Sequence, residues 1–216
     1  MKKWISGAAF AVALVGMASQ AGATVLTPGN NVAASLFSNA GFTLVANTGL
    51  QNIDSGTFTA TAQAWVYSDT NNSFCSGCLD FVYQVNRTGA GVVAPSLNQP
   101  IEGVNVGSFG GFQTNVGYIV SGAGFIPDSV SRSAGAGFVV SFNYNVNNLT
   151  GTQGTDLLVV MTDARFAIPG SMTVTDSLSA NANAFQPTSV PEPMTLSLMG
   201  AGLLGLGLLR KRISRS

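Results

Sequence analysis

Apolar and polar residues alternate along much of the chain, which is the pattern of β-strands with one buried face. Three runs are clear, and their candidate inward residues are Phe58, Ala60, Ala62, Ala64 and Val66; Leu79, Phe81, Tyr83 and Val85; and Phe138, Val140, Phe142, Tyr144 and Val146. A fourth run, Leu157 to Met161, is continuously apolar, which is typical of a strand covered on both faces.

Clusters of Gly, Asn, Ser and Pro separate these runs at short spacing, as in turn-linked antiparallel sheets. The only helical segment that we consider is a short one at 31–38. Roughly eight strands therefore predict an all-β fold, an antiparallel β-sandwich of jelly-roll type. Its core should contain Phe58, Phe81, Phe138 and Phe142. The weaker strands fall at 42–46, 101–106, 115–120 and 172–176.

The first residues have the order of a secretory signal peptide. Lys2 and Lys3 precede an apolar run at 4–17, which is shorter than the roughly 20 residues that a bilayer-spanning helix needs. A small-residue site follows, as signal peptidase requires. We predict a signal peptide over 1–23, with the cleavage site formed by Ala21, Ala23 and Thr24.

The last residues form a second sorting element in three parts. An extended motif comes first and is followed by an uncharged, Leu- and Gly-rich run at 194–209, which we predict to be a transmembrane helix. A basic cluster follows this run, so the tail 210–216 should stay in the cytoplasm. The body should then lie on the other side of the inner membrane. The motif is Val190, Pro191, Glu192 and Pro193, and the cluster is Arg210, Lys211 and Arg212. After the signal peptide, the body should span residues 24–183. A linker that includes the Pro-Glu-Pro motif should span residues 184–193.

These three parts, in this order over 190–212, closely resemble the PEP-CTERM sorting signal of Gram-negative bacteria. In that family a membrane protease-transpeptidase, exosortase, reads and processes the tail. The resemblance implies that exosortase is a partner, that the membrane anchor is transient, and that the protein is associated with exopolysaccharide or the cell surface. The two prolines restrain the local backbone and disfavour helix, so the motif should stay extended and reachable.

The charge of the body excludes several function classes. Segment 24–190 has three arginines and eight acidic residues, a net charge of −5, and it has no Lys and no His. Three scattered arginines are not the clustered cations that nucleic acid binding requires. The missing His and Lys exclude Ser-His-Asp triads, Cys-His dyads, Schiff-base chemistry and His-ligated metals from the body.

Cys75 and Cys78 stand two residues apart. In an exported protein this spacing favours a structural disulfide that clamps the turn before Leu79. A redox pair would need a strand-to-helix context that the sequence lacks, and a zinc site would need more ligands.

The carboxylates and the aromatic residues leave two binding hypotheses and one catalytic hypothesis open. No Asp-x-Asp-x-Asp loop exists, so we predict no metal and no cofactor, although calcium at a strand-end loop remains an alternative. A pair of Asp side chains could serve glycoside hydrolysis. Trp65 and Tyr67 share one face of a strand and form a candidate glycan platform, with partial burial at a sandwich edge as the alternative.

Three short motifs also resemble a recurrent type of PEP-CTERM protein. They are Asp80 to Val85, Arg132-Ser133, and Leu158 to Asp163. This second resemblance supports the fold and not the function. A body without Lys or His, and with one Glu, has few groups for acid–base catalysis, so we predict an exported, non-enzymatic surface or extracellular-matrix protein. The alternatives are a carboxylate-dependent polysaccharide-processing enzyme and a glycan-binding module.

Overall fold

A computed structural model of the chain describes residues 25–92, 99–122 and 124–189. The described residues form thirteen strands and no helix. In chain order these are β1 Asn31–Val32, β2 Ser35–Leu36, β3 Phe42–Asn47, β4 Gln51–Asp54, β5 Phe58–Asp69, β6 Cys78–Ala90, β7 Gly103–Val106, β8 Thr114–Ile119, β9 Ser129–Arg132, β10 Val140–Asn143, β11 Leu157–Thr162, β12 Phe166–Thr175 and β13 Ser179–Thr188.

The strands form two sheets. One sheet has six strands in the order β1-β9-β10-β7-β12-β13. The other has seven strands, of which six follow the order β2-β8-β11-β6-β5-β3. The seventh, β4, pairs with β5 along the same edge as β3. Every pairing between these strands is antiparallel except the two-residue pairing of β2 with β8. The all-β class with two sheets is therefore as the sequence predicts, while the jelly-roll connectivity stays a prediction.

Both sheets contribute inward side chains to one core. Phe58 and Phe81 from the seven-stranded sheet and Phe142 from the six-stranded sheet are fully buried in the same cluster. Phe81 meets Phe109 edge to face, with ring centroids 5.7 Å apart. The alanines of β5 belong to the same cluster as the buried alanines of β13, the strand of the other sheet that β5 contacts, so small side chains on both strands let the two sheets pack densely there.

The seven-stranded sheet also has a smaller cluster on its outer face. Val82 and Val159 are buried there although they point away from the main core. The segment between β2 and β3, residues 37–41, joins the two edge strands of this sheet, and Phe37 and Phe42 pack against the outer cluster. This cover explains why β11 is buried on both faces, as its continuous apolar sequence predicts.

Two sequence predictions for the core and for local structure are wrong. Phe138 is 59% exposed and Val146 is 82% exposed, because β10 covers only Val140–Asn143 and the flanking residues leave the sheet. The segment 31–38 holds the short strands β1 and β2 rather than a helix. Pairing with β9 and with β8 there supplies the backbone hydrogen bonds that a helix would otherwise provide.

The last strand reaches further than the sequence suggests. β13 pairs with β12 as far as the partners Phe166 and Thr188, so the strand pairing of the body continues into the segment 184–193 that we predicted to be linker. The alternating small and polar residues of Ala180 to Ala184 give only a weak strand signal. Their pairing with β12 decides the structure.

Two predicted elements, the signal peptide 1–23 and the sorting helix 194–209, lie outside the described residues. The described residues contain no helix that is long and apolar enough to cross a membrane.

Candidate functional site

Trp65 and Tyr67 lie on the outer face of β5, as their position in the alternating pattern predicts. Both side chains are half-buried and belong to the outer cluster. Tyr67 stacks on Phe42, with ring centroids 4.9 Å apart and an interplanar angle of 28°. Burial raises the pKa of the Tyr67 hydroxyl. The crossing segment 37–41 and Phe42 therefore cover part of the predicted platform.

A cavity of about 230 Å³ lies beside this stacked pair. Its floor is aliphatic and consists of outward residues of three adjacent strands, and its wall carries two aromatic rings and one amide. The lining residues are Asn39, Phe42, Tyr67, Val82, Ile119 and Leu157. An apolar floor with one polar group at the rim is the usual chemistry of a small-molecule site, although the cavity is small.

Two carboxylates lie together at the end of the same face. Asp69 is 1% exposed and Asp80 is fully buried, and their side chains are within hydrogen-bonding reach. Burial and, next, the charge of Asp69 raise the pKa of Asp80 to about 8, while a hydrogen bond from Asn72 acts in the opposite direction. The raised pKa favours the protonated form of Asp80, which can donate a hydrogen bond to Asp69. Oδ2 of Asp80 is buried and accepts no hydrogen bond from the described residues, so it is the oxygen that can carry this proton.

The turn 70–78 covers this pair. Asn72 donates through Nδ2 to Oδ1 of Asp80 at 2.8 Å and to the carbonyl of Thr162 at 3.0 Å. The turn ends in Cys75 and Cys78, which lie at disulfide distance with Cα atoms 5.4 Å apart. The cysteine pair thus lies directly before Leu79, where the sequence predicts a disulfide that clamps the turn. In the described part of the chain, no three His, Cys, Asp or Glu side chains converge on a metal position.

The outer face of the six-stranded sheet has a different chemistry. One row of directly paired residues crosses all six strands, and every member is Asn, Ser or Thr. The neighbouring row continues this composition with one glycine. We call these two rows the polar face: Asn31, Ser131, Ser141, Asn105, Thr173 and Asn181; then Ser129, Asn143, Gly103, Thr175 and Ser179.

No member of the polar face carries a charge, and all of its Asn, Ser and Thr side chains are at least partly exposed. Neighbouring members bond to each other: Thr173 donates to Oδ1 of Asn181 at 2.7 Å, and Asn143 donates to Ser129 and Ser131 at 3.3 Å. With strands ~4.8 Å apart, a six-strand row extends over roughly 24 Å. The sequence pattern gives the outward direction of each residue, but only strand pairing reveals the row.

Arg132 holds several loops together inside the fold. It is 5% exposed, and its guanidinium donates to the carbonyls of Leu26, Phe109, Phe112 and Gly137 and to the hydroxyl of Thr114. Burial lowers the pKa of Arg132, and the charge of Asp163 partly offsets this. The arginine of the predicted Arg-Ser motif thus has a structural role.

The processing residues of both ends lie outside the described ranges. These are Ala21, Ala23 and Thr24; Val190, Pro191, Glu192 and Pro193; and Arg210, Lys211 and Arg212. Their roles therefore rest on sequence. β13 ends at Thr188, directly before the sorting motif, so the folded body reaches the point where the tail begins.

A family model, the PEP-CTERM protein-sorting motif, matches residues 189–212. The chain carries a PEP-CTERM sorting signal. This motif supports an exported protein whose membrane-anchored tail is sorted by exosortase. No curated protein and no solved structure matches the chain. The PEP-CTERM signal therefore explains the last residues of the chain, and the arguments about the body rest on its own geometry.

Proposed function

We propose that this PEP-CTERM protein is a non-enzymatic component of the cell surface or extracellular matrix that binds exopolysaccharide through its polar face. The observation that carries this proposal is the continuous row of uncharged amides and hydroxyls across six strands. Amides and hydroxyls both donate and accept hydrogen bonds, as sugar hydroxyls do.

The absence of charge on this face points to neutral polysaccharide. Binding there removes no ionised group from water, so the desolvation cost stays low. The acidic body, with its net charge of −5, would repel an anionic polymer. Each hydrogen bond contributes only about 1 kcal/mol, but a repeating polymer engages many equivalent positions, and its binding gains from multivalency.

A second glycan surface is favoured by the cavity beside Tyr67. A sugar ring seated there would contact Tyr67 and the amide of Asn39, while Trp65 lies outside the cavity lining. This arrangement corresponds to the aromatic platform that the sequence predicts, narrowed from an open surface to a recess.

The catalytic alternative would depend on Asp69 and Asp80. A glycosidase needs two carboxyl groups about 5–10 Å apart, on either side of an accessible sugar. These two lie within hydrogen-bonding reach of each other and are buried beneath the turn 70–78. The geometry of this pair thus supports the non-enzymatic proposal.

A glycan array, read for both binding and hydrolysis, tests the proposal on the exported protein. We expect binding to neutral polysaccharides that falls in Ser141→Asp/Thr173→Asp, which places two charges in the polar face. The matched control is Thr59→Asp/Thr61→Asp, at two half-buried outward positions of β5. The control should bind as the unmodified protein does.

Three other results would contradict the proposal. Loss of binding in Trp65→Ala and Tyr67→Ala, with the polar-face variant unaffected, would move the site to the cavity. Turnover that disappears in Asp69→Asn or Asp80→Asn would establish the catalytic alternative. Equal loss in the polar-face variant and in its control would show that added charge, and not the position, weakens binding.

A further inference from the structure

One corner where the edges of the two sheets meet is closed by the chain itself. β1 lies at one edge of the six-stranded sheet and β2 at one edge of the seven-stranded sheet, and only residues 33 and 34 separate them. The chain therefore passes directly from one sheet to the other. Each of these edge strands has two residues, which is too short to serve as a template for another strand.

The opposite edge of the six-stranded sheet is closed by side chains. Gln51 of β4 donates through Nε2 to the carbonyl of Asn183 at 2.9 Å and accepts from the backbone N–H of Asn183 at 2.8 Å. Tyr83 donates to the carbonyl of Phe185 at 3.1 Å. The outward backbone groups of β13 at these positions are thus occupied by the seven-stranded sheet.

β3 remains. It is the terminal strand of its sheet, and no strand of the described residues pairs with its outer side. Leu44 is 51% exposed and Val45 is 57% exposed. Residues 25–53 contain no charged residue, so the lysines and acidic side chains that usually protect an edge are missing here. A six-residue, uncharged, apolar edge with available backbone groups is a site for strand addition.

We propose that β3 pairs with β3 of a second copy of this chain, and that this pairing joins two seven-stranded sheets. A second copy presents the same edge. β4 also pairs with one strand only, but it lies beside β13, to which its Gln51 bonds, so β3 is the long edge of the described chain that the other sheet does not cover. Antiparallel pairing about a two-fold axis presents the same patch to itself. The segment is neutral, so it brings two acidic bodies together where their charges repel least.

The geometry of β3 also limits the assembly to two copies. The register of β3 against β5 skips Val45, which is a β-bulge. A bulge bends an edge and prevents long regular pairing. Once two β3 strands have paired, neither copy keeps a long open edge, so the interface is closed.

Analytical ultracentrifugation of the exported protein over a concentration series tests the proposal. We expect a reversible monomer–dimer equilibrium. In Leu44→Lys/Val45→Lys the dissociation constant should rise by roughly tenfold or more, because like charges would face each other across the two-fold axis. The matched control is Val146→Lys/Leu178→Lys, which adds the same charge at two other exposed positions. It should dimerise as the unmodified protein does.

Amide hydrogen exchange provides a second measurement that does not depend on variants. Protection at residues 42–47 should rise with protein concentration. A monomer at every concentration would overturn the proposal, as would a control variant that dissociates as strongly as the β3 variant. Strong protection, in the monomer, of the amides of 42–47 that do not bond to β5 would also overturn it, because another segment of the same chain would then cover the edge.

Discussion

The carboxyl of Asp80 lies against that of Asp69 in a part of the sheet that water does not reach. Tyr67 is the direct partner of Asp80 on β5, so Asp69 is its diagonal neighbour on the same face. Two ionised carboxylates cannot share such a place, and one of them must hold a proton. The pair therefore links the stability of the outer face to pH.

The pair predicts that the protein becomes less stable as pH rises from 4 to 9. The pKa of Asp80 is raised from 3.8 to about 8 in the folded state, so the folded state holds this proton more tightly than the unfolded chain. Asp80 therefore stabilises the folded state fully at a pH below the pKa that its carboxyl has in the unfolded chain. This stabilisation is lost as the pH rises through the pKa of Asp80 in the folded state. One pKa unit corresponds to ~1.4 kcal/mol, so the loss should reach several kcal/mol. Urea denaturation at a series of pH values measures it.

Asp80→Asn should remove this pH dependence, because an amide can bond to Asp69 without ionising. The control is Asp54→Asn, since Asp54 is exposed and accepts only from the backbone of Gly56 in its own turn. In this control, the free energy of unfolding should fall with rising pH as steeply as in the unmodified protein. An Asp80→Asn protein that loses stability with pH as steeply as the unmodified one would refute the role of the pair.

The disulfide prediction concerns the turn above that pair. Mass spectrometry of the exported protein without reductant should find Cys75 and Cys78 lighter than the dithiol by two hydrogens. Cys75→Ser should cost only about 2 kcal/mol, because the closed loop is so short. It leaves the buried Cys78 in place. Thiols that react with an alkylating reagent in the folded protein would contradict the prediction.

Arg132→Lys should destabilise the protein far more than its conservative character suggests. A lysine cannot reach the five acceptors that the guanidinium bonds, and each buried acceptor left without a donor costs roughly 1–3 kcal/mol. Arg165→Lys is the matched control, because Arg165 is exposed and should change stability by less than about 0.5 kcal/mol. Thermal unfolding compares the two, and equal melting temperatures would show that the network is not needed.

The sorting tail gives a prediction in the cell. Tags at both ends, followed by fractionation, should show an exported body and a tail that is removed after membrane insertion. Replacing Arg210, Lys211 and Arg212 with Ser should weaken retention in the membrane, because the cytoplasmic stop is lost. A full-length precursor that stays in the cytoplasm would contradict export.

The sequence predicted the elements whose signal is local. Alternation identified β5 and β6, and the continuous apolar run identified β11 as a strand buried on both faces. The sorting motif was also readable, because its pattern lies in one continuous segment, 189–212. In each case the signal and the property lie within one short stretch of chain.

Elements that depend on a distant partner were missed or misplaced. Phe138 shares the alternation of β10, but β10 begins only at Val140, so Phe138 lies outside the sheet and its ring is exposed. β13 has a weak pattern of its own and exists through its pairing with β12. Alternation gives the direction of a side chain and does not say where a strand stops.

The candidate surfaces were decided by tertiary structure alone. Asn31 and Asn181 occupy one row of the polar face because six strands from distant parts of the chain pair in one register. Gln51 protects the edge at Asn183 across 132 residues of sequence. The sequence determined which residues could be outward and polar. Strand order and register determined which of them became neighbours, because pairing between strands is set by the packing of the whole core and not by any local segment.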